Sequence, residues 1–424
     1  MRYVAPLLVL VPALGLGCSD ASGGSAIERG GSGAGAQGGS GGGSGAQGGS
    51  SGDGFGGSLI PEDDAGGSSG SGGSGGGILQ GEPPCTAGDP NVDRDGDGFT
   101  PAQGDCNDCT ELMNPGAFDF PGNNVDEDCD GVKDNEPDGC STMSIDLAST
   151  YPGDALSALD LCRAQSGDSW GVRSVAYVKA DGTNGMNSLS HGILPSFGAA
   201  TPRRGNHMLA LSSGTARAAN QPGYRHPSGG LFGDMGTRSG LPVGFPVPAP
   251  ACPGVQPGAG NGFDPAAIEL RIKAPTNANA LKFDFMFYTF EFPEYICSEF
   301  NDFFVALMDP APPGAISANV SFDSQGNPVS VNNGYLEVCQ SQTAGGKHFP
   351  CPQGTALLAG TGFEPAASTG WLQTVVPIVP GQEYRLRFAI WDAGDDILNS
   401  TVLIDNLTFD VTDASVPITE PPPK

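Results

Sequence analysis

The stretch "ALKFDFMFYTF", residues 280–290, decides the fold. Leu281, Phe283, Phe285 and Phe287 alternate with Lys282, Asp284, Met286 and Tyr288, a period of two that lays one apolar row along a strand. "EYRLRFAIW", 383–391, repeats the pattern, with Tyr384, Leu386, Phe388 and Ile390 against Glu383, Arg385, Arg387 and Ala389. "TVLIDNLTFDV", 401–411, is apolar at both parities through Val402–Ile404 and then sets Leu407, Phe409 and Val411 on one face. Further strand candidates are Trp170–Lys179, His207–Ser213, Ala267–Ala274, Asn301–Met308 and Trp371–Pro377, separated by Gly/Pro-rich loops, a long one at 214–262. Only "PGDALSALDLCR", Pro152–Arg163, reads as a helix, with Leu156, Leu159 and Cys162 on one face. Many strands with one greasy face predict a mainly β domain over 141–413, an antiparallel β-sandwich of jelly-roll type, followed by a disordered tail at 414–424.

Outside that domain the composition changes. Of 424 residues 68 are Gly, and most of those upstream of the sandwich lie in a Gly/Ser block running to about residue 81. Such a segment cannot bury enough apolar surface to offset ordering entropy, so 18–84 reads as a disordered linker, spanning roughly 40–50 Å on average. Formal charge is -28 from 47 acidic and 19 basic residues with no Lys/Arg cluster, which argues against a nucleic-acid or anionic-lipid surface.

The N-terminus carries Arg2, an apolar run from Val4 to Leu16 broken by Pro6 and Pro12, and then "GLGCSD". The run is too short to span a bilayer and reads as a signal peptide over 1–17. It resembles a bacterial lipoprotein signal, which implies lipidation of Cys18, although Gly15 stands where that signal usually has Leu; Ser19 resembles the outer-membrane sorting form. Removing Cys18 from 11 cysteines leaves ten, an even number in an exported chain. Cys85, Cys106, Cys109, Cys129, Cys140, Cys162, Cys252, Cys297, Cys339 and Cys351 are therefore disulfide candidates, their connectivity open.

Residues 85–140 hold fifteen carboxylates against Arg94 and Lys133, with few large apolar side chains, so bridges and bound ions are expected to hold the segment in place of a core. In "VDRDGDGFTPAQGDCNDC", Asp93, Asp95 and Asp97 fall at positions one, three and five of a calcium loop, Gly98 at six and Phe99 at seven. Gly104 stands at twelve and Asp105 arrives one place late. "DEDCDGVKDNEPD" repeats the scheme 33 residues on: Asp126, Asp128 and Asp130, then Gly131, Val132 at seven, Pro137 at twelve and Asp138 one late. Oxygen-only ligands on a flexible loop suit calcium better than magnesium, and the absence of His from 85–140 argues against copper. "CNDC", Cys106 to Cys109, lacks the second pair of a zinc site and reads as disulfide chemistry.

The segment resembles the metal-binding motif repeats of bacterial surface proteins through Asp93–Phe99, Gly104–Asp108, Asn114–Ala117 and Asp128–Gly131. The large domain resembles the choice-of-anchor L family of bacterial exported domains. The stretches that carry this are "GILPSFG", "LALSSGTA", "LKFDFMFYTFEFPEYICSEFNDFFVALM" and "GWLQTVVPIVPGQEYRLRFAIWDAGDDILNSTVLIDNLTF". The two resemblances imply a β-rich, metal-binding surface protein with no established enzymatic role.

Two acidic clusters remain, one of Glu299, Asn301 and Asp302, the other of Asp392, Asp395, Asp396 and Asp405. By likeness to jelly-roll carbohydrate-binding domains, Asp302 and Asp405 form a weaker cation-site candidate. The four His, at 191, 207, 226 and 348, sit in no catalytic motif, and Ser212-Ser213-Gly214 lacks the context of a nucleophile elbow. The expectation is a non-enzymatic, calcium-binding surface protein, held to outer-membrane lipid through Cys18 and acting in adhesion or matrix interaction with a glycan or protein. The alternatives are a carbohydrate-binding module, with Trp170, Trp371 and Trp391 as stacking platforms, and a secreted hydrolase.

Overall fold

In the computed structural model the described residues are 78–136, 140, 144–228, 235–258, 260–411 and 413–423, all within the unit Ser71–Lys424. The signal segment, Cys18, nearly all of the Gly/Ser linker and Asp138 lie outside them. Among the described residues no helix is long and apolar enough to cross a membrane.

The chain enters the sandwich through one short helix, α1 (Pro152–Ala158), shorter than the sequence pattern predicts. The strands follow: β1 (Gly171–Val178), β2 (His191–Leu194), β3 (Met208–Ser212), β4 (Arg238–Ser239), β5 (Gly262–Lys273), β6 (Ala280–Thr289) and β7 (Phe303–Asp309). Then come β8 (Gln342–Ala344), β9 (Lys347–Phe349), β10 (Ala367–Ser368), β11 (Leu372–Pro377), β12 (Glu383–Asp392), β13 (Ser400–Asp410) and β14 (Ile418–Glu420). One sheet runs β1-β5-β12-β7 with β4 beside β5, the other β14-β11-β6-β13-β3-β2 with β10 beside β6, while β8 and β9 form a separate hairpin. All pairings between these strands are antiparallel. From β5 to β7 and again from β11 to β13, successive strands alternate between the sheets.

The inward rows are those the alternation selects. Leu281, Phe283, Phe285 and Phe287 of β6 meet Tyr384, Leu386, Phe388 and Ile390 of β12 in one buried cluster. Edge-on contact of Phe283 with Phe388, centroids 4.8 Å apart, is a geometry aromatic rings favour. On β13 the inward parity switches from Val402 and Ile404 to Leu407 and Phe409. A register shift between Asp405 and Thr408, with Asn406 at φ 51°, supplies the extra residue that makes the switch, as a β-bulge does.

The outer face of β6 is covered as well, because Met286 and Tyr288 pack beneath Phe197, Leu358 and Phe363. Two expectations need correction. The tail expected to be unstructured contributes β14, which pairs with β11. Trp170 and Trp391 are core residues, so neither offers a face to sugar, while Trp371 is half-buried.

The acidic segment also has apolar company. Phe118 and Phe120 join the sandwich core beside Trp170 and Phe409, with the Phe118 and Trp170 centroids 5.3 Å apart. The turn between β5 and β6 holds it by hydrogen bonds: Phe118 N–H donates to Asn277 Oδ1 (2.8 Å), and Asn277 Nδ2 donates to the Phe118 carbonyl (2.9 Å). The Cys140–Cys162 disulfide adds a covalent link. A segment with too few apolar groups for a core of its own thus uses its neighbour's.

Candidate metal centres

All ten predicted cysteines are bridged, as Cys85–Cys109, Cys106–Cys129, Cys140–Cys162, Cys252–Cys297 and Cys339–Cys351. Cys106 and Cys109 belong to different bridges, and Cys106–Cys129 ties one Asp loop to the other.

In the first loop backbone amides engage both oxygens of Asp93 and one oxygen of each of the other carboxylates. Asp93 accepts from the amides of Gly96 (2.7 Å) and Gly98 (3.0 Å), and Gly96 and Gly98 reach the left-handed region, at φ 88° and 96°, to present them. Asp95 Oδ1 accepts from Asp97 N–H (3.3 Å), Asp97 Oδ1 from Phe99 N–H (2.7 Å) and Asp105 Oδ1 from Asn107 N–H (2.8 Å). Asp108 Oδ1 accepts from Arg94 N–H (2.9 Å). The Oδ2 atoms of Asp95, Asp97, Asp105 and Asp108 are buried and meet no donor among the described residues. They belong to two overlapping groups, Asp93/Asp95/Asp108 and Asp95/Asp97/Asp105, whose ligand atoms lie within 4.8 Å of one another. No ion pair of the described residues reaches any of the five. Burial, with repulsion from Asp95 and Asp105 behind it, pushes the Asp97 carboxyl up to about 6; Asp95 and Asp105 are raised for the same reasons. Asp108 is the member the sequence reading did not assign. It lies beyond the twelve-residue frame and reaches the loop because the Cys85–Cys109 bridge turns the chain back.

The second loop brings Asp126, Asp128 and Asp130 equally close but fills their outer oxygens. Asp126 accepts from Asp130 N–H (3.1 Å) and Gly131 N–H (2.9 Å). Asp128 Oδ2 is ion-paired with Arg163 Nη1 (2.6 Å), which also holds Glu136 (2.8 Å), and Asp130 Oδ2 accepts from Asn135 Nδ2 (2.8 Å). Phe99, at position seven of the first loop, is buried against Gly116, where a Cβ would stand 3.1 Å from its ring and 3.0 Å from Thr276 of the sandwich. Val132, at position seven of the second, is 54% exposed.

Asp302 and Asp405 do not come together. Asp405 Oδ2 accepts from the amides of Arg203 (2.6 Å) and Arg204 (3.3 Å), beside Asp284, which holds the Arg203 side chain. Asp302 instead neighbours Ser213, whose hydroxyl oxygen accepts from Ser400 N–H. Ser400 and Asp405 are five positions apart on β13, about 16 Å of strand. The companions of Asp302 are Glu291 and Asp392. Burial first, and then neighbouring carboxylates, hold Glu291 and Asp392 well above the usual range, and burial pushes Asp302 up to about 6.

Of the histidines, His191 and His207 are buried. His191 stacks on Tyr177 with centroids 3.9 Å apart, and burial, helped by Arg217, holds its imidazole down at about 4.

Residues 258–410 match the model of the Choice-of-anchor L domain, taking in β5 to β13. Of the stretches behind the sequence resemblance, "GILPSFG" and "LALSSGTA" lie upstream of the match, where the structure gives β2 and β3, the strands that complete the second sheet beyond β13. None of the curated proteins matches the chain.

Proposed function

We propose that this chain is an exported, surface-held, non-enzymatic protein that takes up calcium in its first Asp loop and offers its β-sandwich to an extracellular glycan or protein in adhesion or matrix assembly. The observation that carries the calcium reading is the set of four buried carboxylate oxygens, from Asp95, Asp97, Asp105 and Asp108, that no donor of the described residues meets. Hard oxygen ligands without nitrogen or sulfur select calcium over transition metals, and a flexible loop selects it over magnesium. Asp93, Asp95, Asp97, Asp105 and Asp108 would hold the ion, and its charge would offset their mutual repulsion. Phe99 links that loop to Gly116 and Thr276, so binding would firm the seat of the acidic segment on the sandwich.

A surface location is supported by the five bridges, by the Choice-of-anchor L match and by the lipoprotein-like N-terminus. Cys18 would carry the lipid, and the Gly/Ser linker would lift the folded part clear of the membrane. The non-enzymatic reading is supported by the burial of His191 and His207, which leaves neither ring open to a substrate.

Calorimetric titration of calcium into the chelator-stripped full chain tests the metal reading. Asp95→Asn with Asp97→Asn should abolish one class of site, and an unchanged isotherm refutes it. Fatty-acid labelling of the wild type but not of Cys18→Ala tests the anchor, and binding to matrix from the producing cells, with and without calcium, tests adhesion.

A cleft of about 400 Å³ beside β9 gives the carbohydrate reading a place. Its amides are already engaged: Asn327 with Ala251 N–H and Asp323, Asn332 with Cys297 N–H, Asn333 with Tyr335 N–H and the Ser330 carbonyl. Sugar recognition there would fall to Gln325, His348 and Phe349, and saturable glycan binding lost in Phe349→Ala would favour it.

A further inference from the structure

We propose that Glu291, Asp302 and Asp392 form a second, enclosed cation site of the calcium class, inside the sandwich and distinct from the Asp loops. Glu291 lies just past β6, Asp302 immediately before β7, and Asp392 ends β12. A cation there would tie both sheets together at one end. All three side chains are at most 2% exposed, and their ligand oxygens lie within 4.8 Å of one another.

Protein donors satisfy only part of the set. Asp302 N–H donates to Glu291 Oε2 (3.0 Å) and Ser213 Oγ to Asp302 Oδ2 (3.2 Å). Asp302 Oδ1 and both oxygens of Asp392 are buried and meet no donor among the described residues. The same is true of Asn301 Oδ1, on a residue whose backbone N–H is held at the Ala393 carbonyl (3.2 Å), next to Asp392. No ion pair of the described residues involves any of the three carboxylates. Arg238, a nearby guanidinium, is engaged with Asp396 (2.7 Å) and Asp264 (3.6 Å).

Buried charge without a partner is among the costliest features a fold can carry. Here three such groups converge, and Asn301, the residue before Asp302, carries a buried amide oxygen that likewise meets no donor among the described residues. Oxygen-only donors of this kind, with neither His nor Cys in the group, suit a hard divalent ion. Enclosure means that the ion would be taken up as the domain folds and exchanged slowly, unlike one held in the half-exposed first loop.

The test uses the full chain carrying Asp95→Asn and Asp97→Asn, so that the first loop cannot contribute. Refolded with calcium and dialysed, it should retain a tightly held calcium by elemental analysis. Refolded with terbium, it should show lanthanide emission sensitised through Trp391, the residue before Asp392. Adding Asp302→Asn and Asp392→Asn should abolish both signals, and adding Trp391→Phe should abolish the emission while leaving the calcium. If the Asn substitutions block folding, the calcium content and terbium emission of the loop-disabled parent still decide. A parent that holds no calcium and gives no sensitised emission overturns the proposal and leaves protons as the neutralising charge. Calcium retained undiminished after Asp302→Asn and Asp392→Asn overturns it too. Neither result touches the first-loop reading, which rests on the titration described above.

Discussion

Asp95 and Asp128 hold the same place in two loops spelled alike, 33 residues apart, and their surroundings are opposite. Each uses Oδ1 on a backbone amide two residues ahead. Among the described residues the Oδ2 of Asp95 meets no donor, whereas that of Asp128 meets Arg163. The next position repeats the contrast: among the described residues Asp97 Oδ2 meets no donor and Asp130 Oδ2 has Asn135. At positions three and five the loop motif fixes the backbone and one oxygen of each carboxylate. What the other oxygen faces is fixed by tertiary structure, which decides whether positive charge comes from solvent or from the chain. Among the described residues no cationic side chain is ion-paired with the first loop, whereas in the second the Arg163 guanidinium is shared between Asp128 and Glu136.

The bridge that joins the loops gives the largest way to break this contrast. Cys106→Ser with Cys129→Ser opens a 23-residue separation, which the chain-entropy relation values at about 3 kcal/mol. Denaturant unfolding should show that loss in calcium and in chelator alike. Calcium affinity should fall as well, because Asp105 and Asp108 flank Cys106. A double variant as stable as the wild type would show that the loops are held without the bridge.

Exchanging the source of charge comes next. Arg163→Met leaves Asp128 and Glu136 without their cation, and removing one partner of a largely buried pair should cost about 2 kcal/mol in chelator. If the loops differ only in their counter-charge, millimolar calcium should restore part of that loss, since the variant second loop now resembles the first. A loss that calcium does not touch would mean that the second loop has the spelling of a cation site without its geometry.

Calcium linkage at the first loop is smaller and changes sign with conditions. With a dissociation constant of about 0.1 mM and calcium near 1 mM, binding contributes about 1.4 kcal/mol. Asp97→Asn should lose much of that in calcium. In chelator the same substitution should be neutral or stabilising, because it removes a charge that burial and neighbouring carboxylates oppose. Equal effects in both conditions would sink the assignment.

How much of this could be read in advance follows from the range of the interactions. Period-two rows such as Leu281 to Phe287 are local, so the strands and the core face of the sandwich were legible. The parity switch on β13 was visible as a change of pattern near Asn406, though only the structure identifies it as a bulge. The Asp loops were legible because their backbone bonds span two to five residues. Arg163 was missed as the partner of Asp128 because it lies 35 residues away on a segment with no motif. Asp302 was matched with Asp405 by likeness to jelly-roll carbohydrate-binding domains, which pair an early acidic turn with an Asp of the last strand. Antiparallel register instead put Asp405 opposite Asp284 and brought Glu291 and Asp392 to Asp302. The docking of Phe118 and Phe120 was hidden because a segment's own composition says nothing about a neighbour's core.

The smallest expected effect separates module from sandwich by pH. His191 lies in the sandwich, against Tyr177 and Arg217, and its folded pKa is depressed from 6.5 to about 4. Between those values the unfolded chain binds the proton and the folded chain does not, so stability is complete above about 6.5 and declines as pH falls toward 4. From pH 7.5 to 6 the contribution of this one group is a loss of about 0.8 kcal/mol, and His191→Gln should remove that slope. Nothing in the contact with Tyr177 involves the Asp loops, so the difference in slope between wild type and His191→Gln should be the same in calcium and in chelator. Should that difference vanish on chelation, the acidic segment and the sandwich interior would be energetically coupled through their shared core at Phe118 and Trp170, and the contrast between the two loops would have to be reread as a property of the whole fold.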